Sequence, residues 1–256
     1  MFKAIRVTAL LLILFFVAVS TWLTQSRSTD WNNSLWVKIY PVNADDSDVA
    51  ARYIDSLTTD SFASIETFVA REIRKYGHSL VRPVRMELGE EIREQPPTVG
   101  DFPGATDIML WSLKMRWWAN SVAGPQDNPD PDVRIFVRYH APEDHFILEN
   151  SVGMQKGMVG VVNAYAGQRQ AGSSNVVIAH EFLHTLGATD KYDPESGMPD
   201  FPLGFAEPDK QPRFPQRFAE VMGGRIAMSR TDAMVPKSLK FVTIGELTAQ
   251  EIRLVK

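Results

Sequence analysis

The chain reads as an α/β fold, a mixed sheet with helices packed on it and a smaller, irregular C-terminal lobe. Three features predict this. Strand-like and helix-like segments alternate from Leu35 onward, one segment between Asn175 and Gly187 is an almost wholly apolar helix, and beyond it periodicity gives way to proline, glycine and aromatic residues. With 256 residues, 44% apolar and 23% charged, the chain can bury one sizeable core or two unequal lobes.

Lys3 and Arg6 precede an apolar run from Val7 to Leu23, broken by Thr8, Ser20 and Thr21. This is the pattern of an export signal. Ala18, Val19 and Ser20 offer small residues for cleavage after Ser20, while the run is nearly long enough to span a bilayer uncut. Residues 1–23 are therefore a signal peptide or an N-terminal membrane anchor. In either case the remainder is expected outside the cytoplasm, as a periplasmic, secreted or membrane-anchored protein. Residues 24–33 are polar and read as a linker.

Leu35 to Val42 predicts a first strand. From Ser61 to Tyr76 the apolar residues Phe62, Ile65, Phe68, Val69 and Ile73 recur at helical spacing, with Gly77 as a stop signal. A strand is expected at Leu80 to Leu88, then a loop from Glu90 to Gly104. Leu110, Leu113, Trp117, Trp118 and Val122 mark an amphipathic helix over Ile108 to Val122, with the tryptophans in the core. Asp127, Asn128, Asp130 and Asp132 sit between prolines; their oxygens suit calcium, but the spacing lacks the glycine and distal glutamate of a calcium loop, so a solvated turn is the simpler reading. Strands follow at Val133 to Tyr139 and at Met158 to Ala164.

Net charge is -4, without a lysine or arginine block that would track a phosphate backbone, so nucleic acid is not an expected partner. Cysteine is absent, which excludes disulfides, thiolate metal sites and cysteine nucleophiles. Any metal is left to nitrogen and oxygen donors.

The apolar helix carries His180-Glu181-Phe182-Leu183-His184, with Ser173 or Ser174 as its N-cap and Gly187 as its C-terminal stop. Histidines four apart on a helix lie one above the other, so both imidazoles reach one ion. Glu181 projects about 100° around the axis, and in the known arrangement of this motif it binds the water rather than the metal. Two histidines leave a zinc site short of a ligand. Gly187 can turn the chain off the helix and bring Asp190 round as the third, with Asp193 and Glu220 as fallback donors.

The run from His180 through Gly187 to Asp190 resembles the elongated zinc motif of the metzincin metallopeptidases. With aspartate in the last position it looks most like the snapalysin-type small bacterial secreted proteases. The usual third ligand in that clan is histidine, and here the chain departs from it. The resemblance implies an α/β zincin in residues 34–256, with an upper lobe to about 187 and a lower lobe over 188–256. It also implies bound Zn2+ and hydrolysis of peptide bonds in a peptide or protein substrate, with Glu181 as general base. A methionine turn beneath the metal would fall at Met222, beside Gly223 and Gly224, with Met228 and Met234 as rivals. Gly224 stands where several members of the clan carry an oxyanion-assisting tyrosine, which leaves Tyr192 as a candidate. By the same analogy Met158 to Ala164 is the sheet edge above the cleft. The motif would equally serve a zinc amidohydrolase acting on a non-protein amide, or a tethered binding protein that has kept the fold without turnover. His78, His140 and His145 are expected in structural or solvated roles. Calcium at Asp190, Asp193 and Glu195 has no better support than a polar loop.

Overall fold

In a computed structural model, residues 6–7, 29–98, 104–142, 151–155 and 157–255 are described. The predicted signal or anchor lies outside these residues apart from Arg6 and Val7, as do linker residues 24–28 and His145. Among the described residues no helix is long and apolar enough to cross a membrane.

Five strands form the main sheet: β1 (Leu35–Asn43), β2 (Val84–Leu88), β3 (Val133–His140), β4 (Val152–Met154) and β5 (Val159–Tyr165), in the order β2-β1-β3-β5-β4. All pairings are parallel except that of β4 with β5. Helices α1 (Asp48–Asp55), α2 (Ala63–Lys75), α3 (Ala105–Ala123) and α4 (Ala171–Leu186) connect or follow the strands. The result is a mixed α/β architecture with a mixed five-stranded sheet.

Strand alternation divides the interior into two layers. Val37 and Ile39 of β1 and Ile135 and Val137 of β3 face one way, into a large cluster with α1, α2 and α4. Tyr40 and Val42 of β1 and Phe136 of β3 face the other way, against Met115, Trp118 and Ala119 of α3. The Trp118 and Phe136 rings lie 4.6 Å apart by centroid. Removing either ring would cost about 3–5 kcal/mol, because packed interiors close poorly over a lost aromatic.

Several boundaries differ from the sequence expectation. β2 starts at Val84 instead of Leu80, since Pro83 has no N–H to give a ladder; its carbonyl accepts the Leu35 N–H at the mouth of the sheet. Met158 to Ala164 is not the edge. β5 is covered by β4, whose three residues are too short to show an alternation in sequence. In α3, Trp118 is buried as expected, but Leu110, Leu113 and Trp117 are exposed, Trp117 by 74%. That helix is apolar around most of its circumference, so spacing alone could not choose its inner face. Nor is Asp127 solvated. Its side chain is fully buried and bridges Lys38 at 2.8 Å and Arg134 at 2.9 Å, which holds its carboxyl below the ordinary range against the opposing effect of burial.

After α4 the chain forms only short pairs, β6 (Ala219–Glu220) with β9 (Val242–Thr243) and β7 (Ile226–Ala227) with β8 (Ala233–Met234), then α5 (Glu246–Glu251). Their apolar residues, among them Val221, Met222, Leu239 and Ile252, join the α4 side of the core. Glu72 of α2 fastens this segment: its buried carboxylate accepts from Thr243 Oγ1 and the Ile244 N–H at 2.9 Å each, and from Lys75 at 2.7 Å.

Candidate metal centre

Helix α4 begins at Ala171, four residues before the expected Asn175, so neither serine is its cap; the Ser173 hydroxyl instead donates to the Gln170 carbonyl within the first turn. Its end follows the glycine rule. Gly187 takes φ 107°, its N–H returns to the His184 carbonyl and the Ala188 N–H to the Leu183 carbonyl, which is a Schellman closure. This turn has a local consequence for the site. It carries the Ala188 carbonyl back beneath His184, whose Nδ1 donates to it at 2.8 Å. His180 is held in the same way by a distant segment, with Nδ1 donating to the Val221 carbonyl at 2.9 Å.

These two bonds fix the tautomers. A carbonyl can only accept, so each Nδ1 carries the proton and, in the neutral ring, each Nε2 presents a lone pair. The two Nε2 atoms face each other at 3.1 Å. Asp190 Oδ1 completes a triangle, 3.0 Å from His180 Nε2 and 3.1 Å from His184 Nε2. Three acceptors so close repel unless a cation or protons sit among them. A tetrahedral ion with bonds of roughly 2.0–2.1 Å wants its ligands about 3.3 Å apart, so only a few tenths of an ångström separate this triangle from a coordination face. The paired imidazoles hold the Asp190 carboxyl well below its usual range, against the effect of its partial burial. Burial pushes His180 toward its neutral form, and the Asp190 hydrogen bond and the neighbouring Glu181 carboxylate outweigh that push.

Glu181 stands apart from the triangle but within reach, since His180, Glu181 and His184 offer ligand atoms all within 4.8 Å of one another. This His-Glu-His group can bind a metal ion. Burial lifts the Glu181 pKa above the ordinary carboxylate value, against the two nearby imidazoles and a hydrogen bond from the Gly153 N–H, and its Oε2 has no hydrogen-bond partner among the described residues. The tightness comes from β4. Gly153, paired across the ladder with Gly160, lies so close to α4 that a Cβ there would meet the Glu181 carbonyl at 2.4 Å and His184 Cβ at 2.5 Å. Only a glycine lets the edge strand seat on the helix.

His180 and Glu181 open onto a cleft of ≈ 420 Å³, whose walls include Ser151, Asn163, Tyr192 and Arg225. Tyr192 has its ring centroid 6.3 Å from that of His180. Met222 is fully buried in the turn where the Gly223 and Gly224 N–H groups return to the Glu220 carbonyl, and it directly follows the Val221 carbonyl that anchors His180. Met228 is only partly buried and Met234 is exposed. Of the fallback donors, Asp193 caps its own turn, accepting from Ser196 and the Glu195 N–H. Glu220 accepts four donors, the N–H groups of Met222, Gly223 and Gly245 and the Thr248 hydroxyl. Both are committed to the backbone, while Asp190 is the carboxylate at the imidazoles. His78 bonds the Leu254 carbonyl, and His140 bonds Asn163 of the cleft wall; neither belongs to the triangle.

Sequence reading missed Gly153, the two carbonyls that orient the imidazoles, and Arg225. The last packs its guanidinium against Gly197, 3.1 Å from where a Cβ would stand, and has no ion-pair partner among the described residues. None of these carries a motif; the Gly153–Gly160 pairing is visible only once β4 is known to exist.

No family model matches this chain, and no curated protein matches it. Among solved structures it is similar to a catalytically inactive OgpA from Akkermansia muciniphila in complex with an O-glycopeptide (glycodrosocin) substrate, with 8% identity and a TM-score of 0.34 over 84% of this chain and 58% of that one. The chain thus spans under two thirds of that protein's length.

Proposed function

We propose that this protein is an exported zinc-dependent peptidase of zincin type, with His180, His184 and Asp190 as metal ligands and Glu181 as the catalytic base. The observation that carries this reading is the triangle of three lone-pair donors at 3.0–3.1 Å, with both imidazoles locked at Nδ1 by backbone carbonyls. An all-nitrogen-and-oxygen set with two histidines suits zinc, and it leaves one position for water. When bound there, zinc would lower the pKa of that water and polarise a scissile carbonyl.

The chain's own contribution is proton handling. Glu181 Oε2 is buried, unpartnered and shifted upward in pKa, so it can take a proton from water and release it to a leaving amine. Gly153 and Gly160 leave room for that carboxyl beneath the sheet edge. The Tyr192 hydroxyl is the candidate for stabilising the oxyanion, and Met222 fills the place of a methionine turn. The edge strand β4 lies against Glu181's helix and Ser151 beside it lines the cleft, so an extended peptide would add to β4 and pass over the base.

Two measurements test this reading together: zinc content of purified full-length protein, and hydrolysis of a broad peptide library. About one zinc per chain and turnover abolished by chelation are expected. Val152→Pro should lower peptide turnover more than zinc content, because it disrupts the docking edge and spares the ligands. Stoichiometric zinc with release of amine only from a non-protein amide would replace the peptidase by an amidohydrolase. Absence of bound zinc would end both.

A further inference from the structure

Asp190 is the least protected of the three groups in the triangle, with its side chain 45% exposed against 11% for His180 and 16% for His184. It stands beyond the end of α4, in a stretch without regular structure. Three lone-pair groups 3.0–3.1 Å apart repel until a cation or protons lie among them, so a carboxylate on a free loop would swing out to water. Its backbone has to be held from elsewhere.

The hold comes from α5. Glu251, the last residue of that helix, accepts from both chain neighbours of Asp190. Its Oε1 accepts the Thr189 hydroxyl at 2.6 Å, and its Oε2 accepts the Thr189 N–H at 3.0 Å and the Lys191 ammonium at 2.7 Å. The Lys191 side chain is only 3% exposed, and its ammonium also donates to the Thr189 carbonyl at 2.8 Å. Separating such a pair would strand a buried charge, so the grip is stiff. The Lys191 N–H donates in turn to the Met222 carbonyl at 2.9 Å, which ties the loop to the turn that anchors His180. Helix α5 is itself fastened at both ends. Glu220 accepts the Gly245 N–H and the Thr248 hydroxyl at its start; just past its end the Trp31 indole N–H donates to the Ile252 carbonyl at 2.8 Å and His78 Nε2 to the Leu254 carbonyl at 2.9 Å.

We infer, on the ligand set proposed above, that Glu251 is a positioning residue for the metal centre. Through Thr189 and Lys191 it keeps Asp190 at the imidazoles before an ion enters, so that binding does not have to order the loop.

Zinc affinity of the purified full-length protein, read by competition with a chromophoric chelator, tests this when unfolding of the metal-free form is followed alongside. Glu251→Gln cannot accept all three donors and should weaken zinc by about 10-fold, the scale for groups that orient ligands. Coupling is the signature. Added to Asp190→Ala, Glu251→Gln should weaken zinc no further than Asp190→Ala does alone, because its effect passes through that carboxylate. A contribution to folding alone would lower the stability of the metal-free form and leave zinc affinity per folded molecule as in the parent. Parental affinity in Glu251→Gln, or losses at 251 and 190 that multiply in full, would overturn the clamp while the metal site stands. Should Glu251→Gln fail to fold, Thr189→Val decides: it removes one bond from an exposed residue and leaves Lys191 paired, a weakened zinc site supports the clamp and parental affinity overturns it. A parent protein that binds no zinc would overturn the ligand set, and the clamp with it.

Discussion

Glu181 and Glu220 are both buried, and burial pushes both carboxyls above their ordinary pKa, yet their surroundings are opposite. Glu220 sits in the C-terminal segment and receives four donors between 2.6 and 3.0 Å, which tie the Met222 turn to the start of α5. Glu181 sits on the cleft wall with one oxygen that receives none. A satisfied buried carboxylate is architecture. One with an oxygen left without a donor, facing a cleft beside two converging imidazoles, is the kind of group that marks a functional site.

The contrast can be broken most forcefully at Glu181. Glu181→Gln is expected to lower peptide turnover by about 10²–10⁴-fold, the usual worth of a positioned general base, with zinc content and unfolding midpoint close to those of the parent. Glu220→Ala should do the reverse. It leaves four buried donors without an acceptor and is expected to cost on the order of 3 kcal/mol in denaturant unfolding, since each orphaned donor costs about 1–3 kcal/mol and partial relaxation recovers some. Activity per folded, zinc-loaded molecule should fall only as far as the Val221 carbonyl moves from His180. At the next scale, Asp190→Ala should weaken zinc by at least about 10-fold in competition with a chromophoric chelator, the range seen even for groups that merely orient ligands. Unchanged affinity would detach Asp190 from the metal. The smallest effect belongs to Arg225→Ala on the cleft wall, which is expected to lower turnover of acidic peptides relative to neutral ones by at most roughly fivefold, the limit for a solvent-exposed charge, without change in zinc.

Much of this was legible in the sequence because the relevant signals are local. The i, i+4 histidines, the glycine that ends α4 and the aspartate three residues beyond it depend on one helix and one turn, and the structure brings the three side chains together. β1, α2 and β3 announced themselves by uninterrupted periodicity. What failed was everything decided at a distance. α3 is apolar around its circumference, so its inner face was set by Phe136 and Tyr40 across the layer and not by its own spacing. β4 has three residues and exists because β5 offers it an open edge and Gly153 lets it lie on α4. The Val221 carbonyl that orients His180 is 41 residues away, and Glu220, a candidate ligand by composition, was already claimed by Thr248 and Gly245.

Whether His180, His184 and Asp190 hold one divalent ion is read by X-ray absorption at the zinc edge on the purified full-length protein. About one zinc per chain is expected, with two imidazole nitrogens at roughly 2.0–2.1 Å and oxygen ligands at about 2.0–2.2 Å, the imidazole signal being lost in His180→Ala. Protein that retains no zinc, or zinc whose spectrum lacks imidazole scattering and is indifferent to His180→Ala, would contradict it.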